Sequence, residues 1–184
     1  MVDLTINYEM KDILSSIKGK TLKSIEGNYR FLCDVFLEIV RLNLGQYAVE
    51  LYVDYVAIKL LWGADYPVDD EDNCFVIQKF DSDERRYPQG WKVVQFLRDE
   101  RISEVILVRD TIKTNRGDVI VSDTGIVIRT NEKVYSISRT WIDLQINESD
   151  KIDMPVSVAN ITDQYTDNRN GVKPFEVKRD FIFL

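Results

Sequence analysis

The sequence predicts an α+β protein of mainly antiparallel sheet, with two related β-meanders, each preceded by a short helix, packed as a sandwich or partly open barrel. Three observations carry that expectation. Ile102 to Arg139 falls into four Val- and Ile-rich runs of strand length separated by short polar pieces. Tyr47 to Trp62 shows the same alternation of apolar residues. Ahead of each of these stretches lies a shorter segment, 7–18 or 91–98, that reads as a helix. The whole chain is expected to be a single compact domain over residues 1–184, with pseudo-repeats at about 7–80 and 91–140 and a C-terminal extension over 141–184.

Taken in order, residues 7–18 place Met10, Ile13, Leu14 and Ile17 on one helical face, and Gly19 supplies a stop. Thr21 to Glu26 alternates as a strand. Residues 28–45 carry two patterns at once. Paired apolar residues every four positions, with Asn28 as a cap and Gly45 as an end, suit a helix, while the β-branched and aromatic density of Val35 to Leu42 suits a buried strand; the comparison between halves favours strand. In Tyr47 to Trp62, the apolar face changes at Asp54-Tyr55, as two strands joined by a tight turn or a bulge would require. The next segment, rich in acids, reads as a loop around a strand from Cys74 to Phe80. Tyr87-Pro88-Gln89-Gly90 reads as a turn before a short helix from Trp91 to Arg98.

Within the central meander, Ser122-Asp123-Thr124-Gly125 has the composition of a hairpin turn with positive φ at the glycine. The tail has turn chemistry at Ser149-Asp150-Lys151 and at Asp167 to Gly171, and Phe175 to Leu184 reads as a final strand that needs a sheet to cover it. The two halves align with Asp54 opposite Asp123 and Leu22 opposite Ile102, which requires an insertion between Ile25 and Ala48.

Composition narrows the chemistry. The chain of 184 residues contains no histidine, which removes Ser-His-Asp and Cys-His schemes and most zinc or iron sites. Its two cysteines, Cys33 and Cys74, form no CxxC pair and are expected to be reduced and half-buried. Gly19-Lys20-Thr21 follows a helix where a phosphate loop precedes one, and Asn115-Arg116-Gly117-Asp118 lacks the further glycines of a nucleotide site. No cofactor and no metal is therefore expected. The amino terminus has no secretory pattern and no long apolar run occurs, so the expectation is a cytoplasmic protein without a membrane partner.

Charge supplies the functional expectation. The net charge is −7, and between residues 65 and 84 eight acids (Asp65, Asp69, Asp70, Glu71, Asp72, Asp81, Asp83, Glu84) face a single base, Lys79, so this segment holds the whole imbalance. The remainder is neutral, which argues against a Lys/Arg surface for nucleic acid. The expected function is a non-catalytic binding protein whose acidic segment meets a basic protein partner; in type, small β-rich immunity and antitoxin proteins that neutralise basic toxins offer a comparison. Two other classes are open. A small-ligand carrier would hold an apolar cavity between sheets, lined by Trp62, Trp91, Trp141, Tyr55, Tyr66 and Tyr87. A carboxylate- or divalent-ion-dependent hydrolase would draw on Glu38, Glu50, Asp54 and Asp123, the last two as a symmetric pair or else as turn caps.

Overall fold

The computed structural model describes residues 1–29, 37–60, 68–81, 93–115, 117–139, 144–149 and 174–184. Among these, the chain runs β1 (Val2–Leu4), α1 (Tyr8–Ser16), β2 (Thr21–Tyr29), β3 (Leu37–Asn43), β4 (Tyr47–Leu60), β5 (Val68–Asp81), β6 (Val93–Thr114), β7 (Val119–Thr130), β8 (Val134–Arg139), β9 (Leu144–Ser149) and β10 (Pro174–Phe183). The protein is mostly β, with one helix among the described residues and one mixed sheet of ten strands. All pairings are antiparallel except that of β1 with β7. None of the described helices is long and apolar enough to cross a membrane.

The long strand β6 organises the sheet. It pairs with β2 along residues 93–101 and with β7 and β10 along its later half. Following β6 to β7, β8, β9, β3, β2 and back to β6 closes a ring of six strands. The seam of that ring is narrow: β3 and β9 meet at one residue pair, Leu37 opposite Leu144. Gly27 on β2 makes room there, since a Cβ at that position would stand 2.7 Å from Leu37 Cδ1. Inside lie Leu22, Val40, Leu42, Ile102, Leu107, Ile126, Ile128, Ile137 and Leu144, joined by Leu14 of α1, by Ile17 at its C-cap, and by Val49, Leu51, Phe75 and Ile77 of the β4–β5 hairpin. At roughly 25 cal/mol per Å² of buried apolar surface, this continuous cluster is the main source of stability.

Helix α1 and strand β10 follow the sequence expectation closely. Asn7 caps α1, its Oδ1 accepting from Met10 N at 2.8 Å, and Gly19 takes φ +78 in the turn that follows. Leu37 to Asn43 is a strand, as the comparison of halves favoured, while Asn28 lies within β2 and accepts from Ile39 N at 2.7 Å instead of capping a helix. Gly45, at φ +88, serves the β3–β4 turn. Residues 30–36, 150–173, the 87–90 turn and Trp91 lie outside the described residues.

Five expectations are corrected. Residues 122–125 are no hairpin: β7 continues through them, Gly125 is not among the positive-φ glycines, and the registers Val108 to Gly125 and Arg109 to Asp123 leave Thr124 as the extra residue of a β-bulge. Between β6 and β7, Thr114 N donates to Asp118 O at 2.9 Å and Gly117 takes φ +90, and the β7–β8 turn is at 131–133, where Thr130 Oγ1 accepts from Lys133 N at 2.9 Å. Residues 54–55 are no turn either, because β4 pairs with β5 without interruption from Tyr47 to Leu60. The apolar face changes there because Val49, Leu51 and Val53 cover the main core, whereas Val56 packs on a second cluster of Leu4, Ile112 and Ile120. Residues 93–98 are strand, not helix, since they supply the partner of β2. Two helix-preceded meanders are therefore not the arrangement of the described residues. The acidic stretch, finally, is strand from Val68 onward.

Candidate functional site

The β4–β5 hairpin carries the surplus charge. Asp72, Glu71, Asp70 and Asp69 of β5 stand in register with Val56, Ala57, Ile58 and Lys59 of β4, and Asp81 closes the strand opposite Tyr47. Asp81 is exposed, and its backbone carbonyl accepts from Arg41 Nη2 at 3.3 Å. Asp65, Asp83 and Glu84 lie outside the described residues. Among the described strands β5 pairs with β4 alone, so four consecutive acids run along a sheet edge. Lys79, the single base of the segment, stands seven residues farther along the strand than Asp72, about 23 Å at roughly 3.3 Å per residue, and its Nζ lies over the Tyr47 ring, 4.0 Å from the centroid.

Beside this edge, α1 and β5 enclose an open groove of about 400 Å³. Met10, Ile13, Ile77 and Phe80 give it apolar walls, while Asn7, Glu9, Gln78 and Lys79 line its polar parts. It exists because α1 buries Leu14 and Ile17 in the main cluster and leaves Met10 and Ile13 half-buried against the hairpin. The groove lies outside the ring, and Tyr55 is not among its described lining residues. Of the six aromatics proposed to line a cavity, Tyr55 is 56% exposed on β4, and Trp62, Trp91, Trp141, Tyr66 and Tyr87 lie outside the described residues. Cys33 also lies outside them, and Cys74 is half-buried on β5.

The candidate carboxylates for hydrolysis do not converge. Asp54 is exposed, and its Oδ1 accepts from Tyr55 N at 2.9 Å. Glu50 is buried beside Arg41, with 3.5 Å between Oε1 and Nη1. Glu38 is half-buried on β3. Asp123 is neither a turn cap nor the symmetric partner of Asp54. It is fully buried at the bulge, where its carboxylate accepts from Arg109 Nε and Nη2 at 2.7 and 3.0 Å and from Ile6 N at 2.8 Å. That carboxylate, through its hydrogen bond first, holds the Arg109 guanidinium above its ordinary pKa against the cost of partial burial. On the next residue Asp110, also fully buried, takes a bidentate contact from Arg179 of β10 at 2.7 and 2.6 Å and a hydroxyl from Thr124 at 3.3 Å. Bidentate pairs of this kind fix orientation. They fasten β1, β6, β7 and β10 where the bulge breaks the ladder. Among the described residues, no three His, Cys, Asp or Glu side chains gather as metal ligands.

A further buried carboxylate, Glu100, sits at the other end of the ring. It accepts from the Tyr135 hydroxyl at 2.9 and 3.0 Å and from Thr130 Oγ1 at 2.6 Å, with Arg98 bridging toward Glu148 at 2.6 Å. Burial, and then the Glu100 carboxylate, push the Tyr135 hydroxyl well above its ordinary pKa.

Sequence reasoning did not find these pairs or the groove. Asp110 and Asp123 did leave a signal, an acid embedded in a Val/Ile run that a strand could bury only with a cationic partner. No signal marked the groove, which joins residues about 70 positions apart in the chain. Comparison with protein-family models, with curated proteins and with solved structures finds no match for this chain.

Proposed function

We propose that the chain is a non-catalytic binding protein whose acidic segment, residues 65–84, engages a basic protein partner. The observation that supports the reading is the row Asp69-Asp70-Glu71-Asp72 on a sheet edge, remote from the segment's single base. Five described arginines are paired with acids within the molecule: Arg41 with Glu50, Arg98 with Glu148, Arg109 with Asp123, Arg129 with Glu104 and Arg179 with Asp110. The four consecutive acids give β5 a local negative field. A field of that kind attracts a positive surface from a distance, raises the association rate, and disfavours acidic competitors. It also blunts the edge against strand addition by other chains.

The test is a paired affinity purification. Wild type and a variant neutralised at D69N, D70N, E71Q and D72N are used as bait, and retained proteins are quantified side by side. Proteins held by wild type and lost by the variant should have isoelectric points above about 9. Identical sets on both baits would remove the proposal.

A further inference from the structure

We propose that β10 is a dimerisation edge, through which two copies of this chain pair antiparallel about a two-fold axis at Arg179. Among the described strands β10 has β6 as its one neighbour. Leu184 N donates to Val105 O at 3.0 Å, and from Glu176 to Phe183 the β10–β6 register is constant. Backbone groups alternate along a strand, so the even-numbered residues of β10 turn theirs to β6. Those of Val177, Arg179, Phe181 and Phe183 then point outward, away from the sheet. The same four residues share one face, on which Val177 is 39%, Phe181 42% and Phe183 63% exposed. An apolar stripe on an open strand edge is what soluble proteins ordinarily avoid.

Backbone geometry and charge together select the partner and its register. An antiparallel neighbour must set outward-pointing residues opposite outward-pointing residues, so a two-fold axis between two copies passes through a residue position and not between positions. An axis at 178 sets Glu176 against Asp180 of the second copy, and an axis at 180 sets Asp180 against itself. Both place like charges opposite one another. Axes farther out, at 177 or 181, pair only part of the strand. With the axis at 179 the whole strand overlaps, Lys178 faces Asp180 twice, and each Val177 meets a Phe181. Lys178 and Asp180 are already an exposed ion pair within β10, 2.9 Å apart, and so are free to exchange partners across the axis. Arg179 meets its own copy there, but its guanidinium is held by Asp110 at 2.6 Å and brings little repulsion. The β5 and β10 edges thus differ. Four acids along β5 repel a second copy, whereas β10 balances Glu176 and Asp180 with Lys178 and Arg179.

The experiment is sedimentation of the full chain from about 1 μM to several hundred μM, the range in which a small interface equilibrates. Wild type should form a dimer. K178D, which turns two attractive pairs into two repulsive ones, should raise the dimer dissociation constant about tenfold, and K178D/D180K should restore it. F181P removes an outward N–H and no bond to β6, so it should leave the circular dichroism unchanged and give a monomer. A wild-type chain that stays monomeric throughout, or a dimer indifferent to both K178D and F181P, would overturn the proposal.

Discussion

Replacing Arg109 by methionine leaves the fully buried Asp123 carboxylate with one described donor, Ile6 N–H at 2.8 Å. Removing one partner of a buried ion pair costs about 3–5 kcal/mol, because the remaining charge stays out of water. The reverse change should cost less. In D123N the amide oxygen still accepts from Ile6, and the Arg109 side chain, 21% exposed, can turn its charge toward solvent; a loss of about 1–3 kcal/mol is expected. The double variant R109M/D123N should lose less than the sum of the two. Urea unfolding at pH 7, followed by circular dichroism and tryptophan fluorescence, measures all three. If D123N proves as costly as R109M, or if R109M costs under about 1 kcal/mol, the bulge is not held by this pair.

Three further outcomes are expected. Tyr135 ionises above its ordinary pKa in the folded state, so stability attached to its neutral form is complete below the unfolded value of about 10 and is lost as pH rises beyond it; Y135F should flatten that alkaline limb, read as urea midpoints between pH 8 and pH 11. N7A removes the acceptor for Met10 N and should cost about 1 kcal/mol, seen as a lower thermal midpoint. G27V pushes into Leu37 at the seam of the ring and should cost about 1–3 kcal/mol, with part of that loss recovered when Leu37 is also shortened to alanine.

Local chemistry made parts of the fold readable. Asn7, the apolar spacing of α1 and Gly19 act within a few residues of one another, and Phe175 to Leu184 is an alternating run whose only stable place is a sheet. What sequence could not weigh was long-range pairing. Asp-Thr-Gly at 123–125 has turn composition, but Arg109, 14 residues away, and Ile6 N–H, 117 residues away, make it a bulge inside a strand. The helical look of 93–98 yields to β2, which needs a hydrogen-bonded neighbour. The register change at Asp54 marks a strand passing from one apolar cluster to another, information that no window of local sequence contains. The acidic run was readable as charge and misread as loop, because composition reports solvation and not the fourteen-residue pairing with β4.

The most direct measurement of the binding account is the association rate of the chain with a basic protein recovered on the wild-type bait, followed by stopped flow from about 50 to 500 mM salt. Steering by the β5 acids predicts that the wild-type rate falls at least tenfold over that range, while the variant neutralised at residues 69–72 starts slower and barely responds. Equal rates with equal salt slopes for the two chains would contradict it.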